Sequence, residues 1–233
     1  MPIRVDTYKS IPKKILPLFE SVRDDLTKNN YIDKLARSGK FLSILQKLHN
    51  FLEENEVIAI HYTRSFRDSI LSKGLILQNG NDRRNSFIKE HGHLFADAEI
   101  SLIEHAYEEY FSHEQNKVRD GRIWFNYSTM ALNDGGAERL LRNYGGEAVY
   151  MPLAELAGVR EKIQRIGEPL IVKCKIKPSF INGFWDFPSA LVWLSSYHIH
   201  INPNARFFDV DIYVTQDIPP EDIITVETVQ PWL

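Results

Sequence analysis

Residues 57–77 read VIAIHYTRSFRDSILSKGLIL, and the rest of the chain is best understood outward from them. Val57 to Tyr62 is a short, dense run of strand-forming residues. Ser65 with Asp68 three positions on has the spacing of a capping box, so a helix should open there. Phe66, Ile70 and Leu71 would form its apolar face. Gly74 stands where a left-handed helix stop is wanted. Leu75-Ile76-Leu77 then reads as a second strand, closed by Asn79-Gly80.

Upstream, residues 11–56 are patterned as helix. Ile15, Leu16, Phe19 and Val22 recur at helical spacing, as do Phe41, Leu42, Leu45, Leu48, Phe51 and Leu52, with Asn29-Asn30 as the break. Downstream, residues 99–114 form a further helical pattern. Arg122 to Tyr127 is a strand, 137–143 a short helix, and Glu147 to Met151 a strand that follows Gly145-Gly146. A polar helix near 153–164 precedes Pro169 to Lys177, where Val172, Cys174 and Ile176 alternate with lysines as in a half-buried antiparallel strand. Residues 210–215 and 223–226 are the last strands. Helices early and strands late predict an α+β protein, with a helical N-terminal extension at 1–56 and a second region at 57–233.

Composition excludes several classes. The chain has 233 residues, 43% hydrophobic and 25% charged, which is ordinary for a soluble globular protein and foreign to disordered or fibrous chains. No apolar run approaches a membrane span, and the start lacks the apolar stretch of a signal peptide. Cys174 is the single cysteine, so an internal disulfide and a Cys-rich zinc site are impossible; a reducing, cytoplasmic setting is expected. Net charge is −3, but residues 1–47 hold ten basic and five acidic side chains. That segment would face an acidic partner or nucleic acid, or simply present a solvated helix face.

The sequence lacks a P-loop, a G-x-G-x-x-G, an H-E-x-x-H and a G-x-S-x-G. Eight histidines raise the question of a metal. His198 and His200 would share one face of a strand, His91 and His93 repeat that spacing, and His105, Glu109 and His113 line one helix side. A solvated surface explains the helix set equally well. Three further residues carry chemistry. His61 sits at the tip of a core strand, Glu147 begins a strand after side-chain-free backbone, and Trp124 lies within a strand where it would pack or offer a face to a planar ring.

Taken together, IHYTRSFRDSILSKGLIL (60–77), GRIWF (121–125), YGGEAVY (144–150) and the ending DIYVTQDIPPEDIITVE (211–227) resemble the ADP-ribosyltransferase superfamily. The resemblance is to its diphtheria-toxin-like and poly(ADP-ribose)-polymerase-like branch, whose pattern is His, Tyr, Glu. His61 matches the first position and Glu147 the third, while the middle one falls on Trp124 rather than Tyr. The resemblance implies a split antiparallel sheet core and a pentosyl transfer that consumes NAD as co-substrate. Glu147 would steady the cationic ribose, and His61 would hydrogen-bond the adenosine ribose. Tyr62 would meet the nicotinamide amide, and Trp124, Tyr127 or Tyr144 would stack on its ring; Arg64 is expected with them among the cofactor-binding residues. The expected acceptor is a macromolecule, protein or nucleic acid, as for a bacterial toxin or defence effector, with an antitoxin or regulator on the N-terminal helices and no membrane. Two other readings are a metal-dependent hydrolase built on His198 and His200, and a catalytically inactive binding module of the same fold.

Overall fold

The computed structural model describes residues 1–111, 120–133 and 135–230. In chain order its helices and strands are α1 (Leu16–Glu20), α2 (Arg23–Thr27), α3 (Ile32–Leu35), α4 (Gly39–Glu53), β1 (Val57–Ser65), α5 (Arg67–Lys73), α6 (Gly80–His91), α7 (Asp97–Glu109) and β2 (Ile123–Phe125). There follow α8 (Glu138–Arg142), α9 (Glu147–Leu153), α10 (Val159–Ile163), β3 (Glu168–Ile176), β4 (Asn182–Gly183), α11 (Pro188–Ile201), β5 (Ile212–Val214) and β6 (Ile223–Thr228). The chain is thus mixed α and β with two small antiparallel sheets, ordered β1-β3-β6 and β2-β5-β4. No helix among the described residues is long and apolar enough to cross a membrane.

Two compact units emerge. The first comprises Met1–Ile60, Trp124–Met130 and Cys174–Val214, so the N-terminal helices share a unit with much later segments. The reason is α11. Every residue from Ser189 to His198 is buried, and α11 packs on α4 and α2. The stripe Phe41, Ile44, Leu45, Leu48 and Leu52 of α4 is buried in turn. Trp193 of α11 meets Phe19 edge-on, with centroids 5.4 Å apart, and its indole N–H donates to Ser10 Oγ at 2.9 Å.

The second unit comprises His61–Ile123, Ala131–Lys173 and Thr215–Leu233. Here α6, α7, α9 and α10 enclose a core of Phe87, Ile103, Tyr107, Val149, Leu153 and Ile163. Gly74 ends α5 at φ 77°, as its place in the sequence predicts. A Cβ there would lie 1.9 Å from the Ile218 carbonyl oxygen, so only glycine fits.

Several local expectations are corrected. Residues 11–56 form four helices rather than two. Ser65 ends β1, and Phe66, which has no polar side chain, takes the cap position of α5. Leu75–Leu77 does not form a strand; Leu75 alone bridges to Ile218. Glu147–Met151 is helical, because Val149, Tyr150 and Leu153 turn inward at helical spacing in a run too short for its period to show. The helix expected across 153–164 is confined to Val159–Ile163. His198 and His200 lie on α11, where residues two apart diverge instead of sharing a face.

Candidate functional site

The second unit holds most of the singled-out residues. Along β1, Tyr62 and Arg64 point inward and His61 is half-buried. Arg64 Nε donates to the Ile166 carbonyl at 2.9 Å, Nη2 to Gly167 at 3.1 Å and Nη1 to Leu141 at 3.4 Å. Its planar fork therefore binds chain segments together. Burial lowers its pKa from the usual arginine value. Arg64 also forms an isolated parallel bridge with Tyr144, which brings the end of β1 beside the turn that leads to Glu147.

Tyr144 stands at the centre of an aromatic and basic cluster. Its ring lies 4.7 Å from His91, 5.9 Å from Phe66 and 6.2 Å from Phe87. The Arg83 guanidinium lies 5.4 Å from the same ring, and Arg83 Nε donates to the Gly145 carbonyl at 3.5 Å. Tyr144 is only 3% exposed, and burial raises its phenol pKa. His91 is 9% exposed, and burial first of all pushes its pKa down. Among the described residues His91 Nε2 has no hydrogen-bond partner; the Glu90 carboxylate lies 3.8 Å away.

From this cluster the chain turns through Gly145 and Gly146, at φ 89° and 71°. Both values suit glycine, and a Cβ on Gly145 would come within 2.7 Å of Val149. Glu147 then opens α9 with its side chain exposed. Phe66 is 45% exposed at the edge of the buried cluster, its ring stacked against that of His91 at 6.0 Å.

The structure therefore joins Arg64 to Tyr144 and sets Glu147 three residues beyond. His61 lies three residues, about 10 Å, back along β1 from the bridge, and Glu147 three residues on, beyond the turn at Gly145-Gly146. Trp124 and Tyr127 belong to the first unit. There Trp124 stacks on Phe184 at 6.1 Å and tilts against Tyr213 at 4.9 Å. Tyr127 is fully enclosed, with its hydroxyl 2.6 Å from Ser189 Oγ, so no ring face is free. Tyr144 is closed to stacking for the same reason.

Among the described residues the histidines singled out by spacing do not gather into a ligand set. His198 Nε2 lies 2.9 and 2.7 Å from the carbonyl oxygens of Leu26 and Asn29, whereas His200 stacks on Tyr8 at 3.5 Å. His105 pairs with Glu109 at 3.3 Å on the exposed side of α7; His113 lies outside the described residues. Among the described residues no three metal-ligating side chains gather. Cys174 is fully buried in β3, as its alternation predicts.

Phe66 and Arg83 are missed as site residues by sequence reasoning, and His91 is noticed there only through its metal-like spacing with His93. The signal for α6 was Asn79, whose side chain accepts from the Asp82 N–H at 2.8 Å as a helix cap. Gly80–His91 carries few apolar residues, so its inward face is weakly marked. No family model, no curated protein and no solved structure matches this chain.

Proposed function

We propose that the chain is an NAD-dependent ADP-ribosyltransferase whose reacting sugar is met by Glu147. The observation that carries this reading is the turn Tyr144-Gly145-Gly146-Glu147. Two left-handed glycines lift an exposed carboxylate clear of a buried aromatic and basic cluster. Cleavage of the bond between nicotinamide and ribose develops positive charge on the sugar, as in glycoside cleavage. A fixed carboxylate there lowers the barrier electrostatically, and the acceptor oxygen or nitrogen then bonds to the anomeric carbon as its proton leaves.

The remaining roles are redistributed. Phe66, partly exposed at the cluster's edge, takes the stacking part expected of Trp124, Tyr127 or Tyr144. Arg83 supplies positive charge for the pyrophosphate. Arg64 holds the flanking segments through the Leu141, Ile166 and Gly167 carbonyls, and its backbone bridge to Tyr144 places the turn, so its role is positioning rather than contact with NAD. His61 addresses the adenosine ribose from β1, so His61 and Glu147 serve different sugars of one dinucleotide.

The test is nicotinamide release when the full chain is incubated with NAD and mixed protein and nucleic acid. Release that depends on the chain supports the reading, with Phe66→Ala raising KM more than it lowers kcat. NAD that binds but is never cleaved would leave only the inactive binding module.

A further inference from the structure

In the first unit, Tyr31, Lys34 and Arg37 recur every third residue along α3 and the turn after it. All three are exposed, while Ile32 and Ala36 turn inward. Such spacing sets side chains on one face, here roughly 9 Å long. Each cation on this face rests on a ring. Lys34 Nζ lies 4.7 Å and the Arg206 guanidinium 5.5 Å from the centre of Tyr31, and the Arg37 guanidinium lies 4.9 Å from that of Trp185. The backbone N–H of Arg206 donates to the Asn30 carbonyl at 3.0 Å, which fixes that segment beside α3.

Beside these residues is a concavity of about 220 Å³, lined by Arg37, Leu42, Phe184, Trp185 and Asp186 among others. Phe184 is 75% exposed, an unusual display for a phenyl ring. Phe187, three residues on, is the one non-glycine with positive φ among the described residues, at 52°. Strain of that kind gathers at ligand-handling segments.

Charge decides what fits. Among the described residues no carboxylate lies within ion-pair distance of Lys34, Arg37 or Arg206, whereas nearby Lys40 is held by Asp25. Asp33 and Asp186 are the acidic neighbours in sequence, so cations remain in excess. Three cations set among the exposed rings of Tyr31 and Phe184 and the half-buried Trp185 match a strand of phosphates whose bases are free to stack.

We propose that this face of the first unit binds single-stranded nucleic acid. Lys34, Arg37 and Arg206 meet phosphates, Phe184 offers the stacking face, and Trp185 backs Arg37. Asp186, at the concavity, accepts a hydrogen bond from a base amino group. An acidic protein segment would use the cations and leave the rings idle.

The test is fluorescence anisotropy of the full chain with a labelled single-stranded oligonucleotide, its duplex, and poly-glutamate. The single strand binds tightest. Raising salt from about 50 to about 200 mM weakens it about 20-fold, as three neutralised phosphates require. Arg37→Ala and Arg206→Ala each flatten the salt slope by about 0.7. Phe184→Ala weakens binding about tenfold and leaves that slope unchanged. These side chains are exposed, and unchanged circular dichroism confirms folding. Absent single-strand binding at low salt overturns the proposal. So does poly-glutamate binding equally well with no effect of Phe184→Ala, which assigns the face to an acidic protein.

Discussion

The ring of His91 stands edge-on to that of Tyr144, with centroids 4.7 Å and planes 83° apart. This contact keeps an imidazole beside the turn that presents Glu147, in surroundings that disfavour its charged form. Burial is the largest cause, Arg83 and His93 add to it, and Glu90 opposes it.

A pH dependence follows. The folded pKa of His91 lies below the ordinary value of 6.5, so the unfolded chain binds more protons as pH falls below that value. Stability from this group is complete above about pH 6.5 and is lost as pH falls through the lowered folded pKa. Melting temperature measured from pH 8 to pH 5 should therefore drop, and His91→Phe should flatten the drop. Parallel curves for the two proteins would contradict the assignment.

Arg64 is predicted to act on stability. Arg64→Leu leaves three carbonyl oxygens without this donor, and each orphaned acceptor costs about 1–3 kcal/mol when buried. Urea unfolding should show a loss of roughly 3–5 kcal/mol at unchanged m-value. Arg64→Lys should recover little of it, since an ammonium cannot reproduce the fork. A variant of native stability but weakened NAD binding would instead make Arg64 a ligand residue.

The two glycines before Glu147 should differ. Alanine at either position pays about 1–3 kcal/mol for a positive-φ backbone that L side chains rarely adopt. At Gly145 the new Cβ also meets Val149 at 2.7 Å, whereas at Gly146 it meets open space. Gly145→Ala should therefore cost clearly more in thermal unfolding than Gly146→Ala. Equal losses would mean that α9 does not pack against the turn as described.

His198 and His200, which the sequence pairs, should separate under mutation. His198→Ala removes a hydrogen bond to the carbonyls of Leu26 and Asn29, which Asn202 Nδ2 still reaches at 3.2 and 2.9 Å, and opens a cavity beside them, at roughly 1–3 kcal/mol. His200→Ala loses one exposed stacking contact on Tyr8, about 1 kcal/mol or less. A chelator should leave the melting temperature unchanged. A chelator-induced fall would restore the metal reading.

How far the sequence speaks depends on the kind of signal. Strands β1 and β3 are visible because dense branched residues and clean alternation leave little choice. The amphipathic α4 is visible for the same reason. Helix α11 is hidden because it is apolar on every side, and a helix buried all round has no stripe to read. Glu147 stands out through its glycines, yet strand and helix cannot be told apart over seven residues. His91, Arg83 and Phe66 reach Tyr144 only through the packing of separate segments, which no spacing along the chain encodes. Trp124 draws notice as an aromatic in a strand, and there the plainer expectation of packing holds.

The most direct test is Glu147→Gln, which keeps shape and removes charge at an exposed position. Nicotinamide release and transfer of labelled ADP-ribose should both fall by about 10²–10³, with circular dichroism showing the chain still folded. Activity equal to that of the unaltered chain would contradict the account.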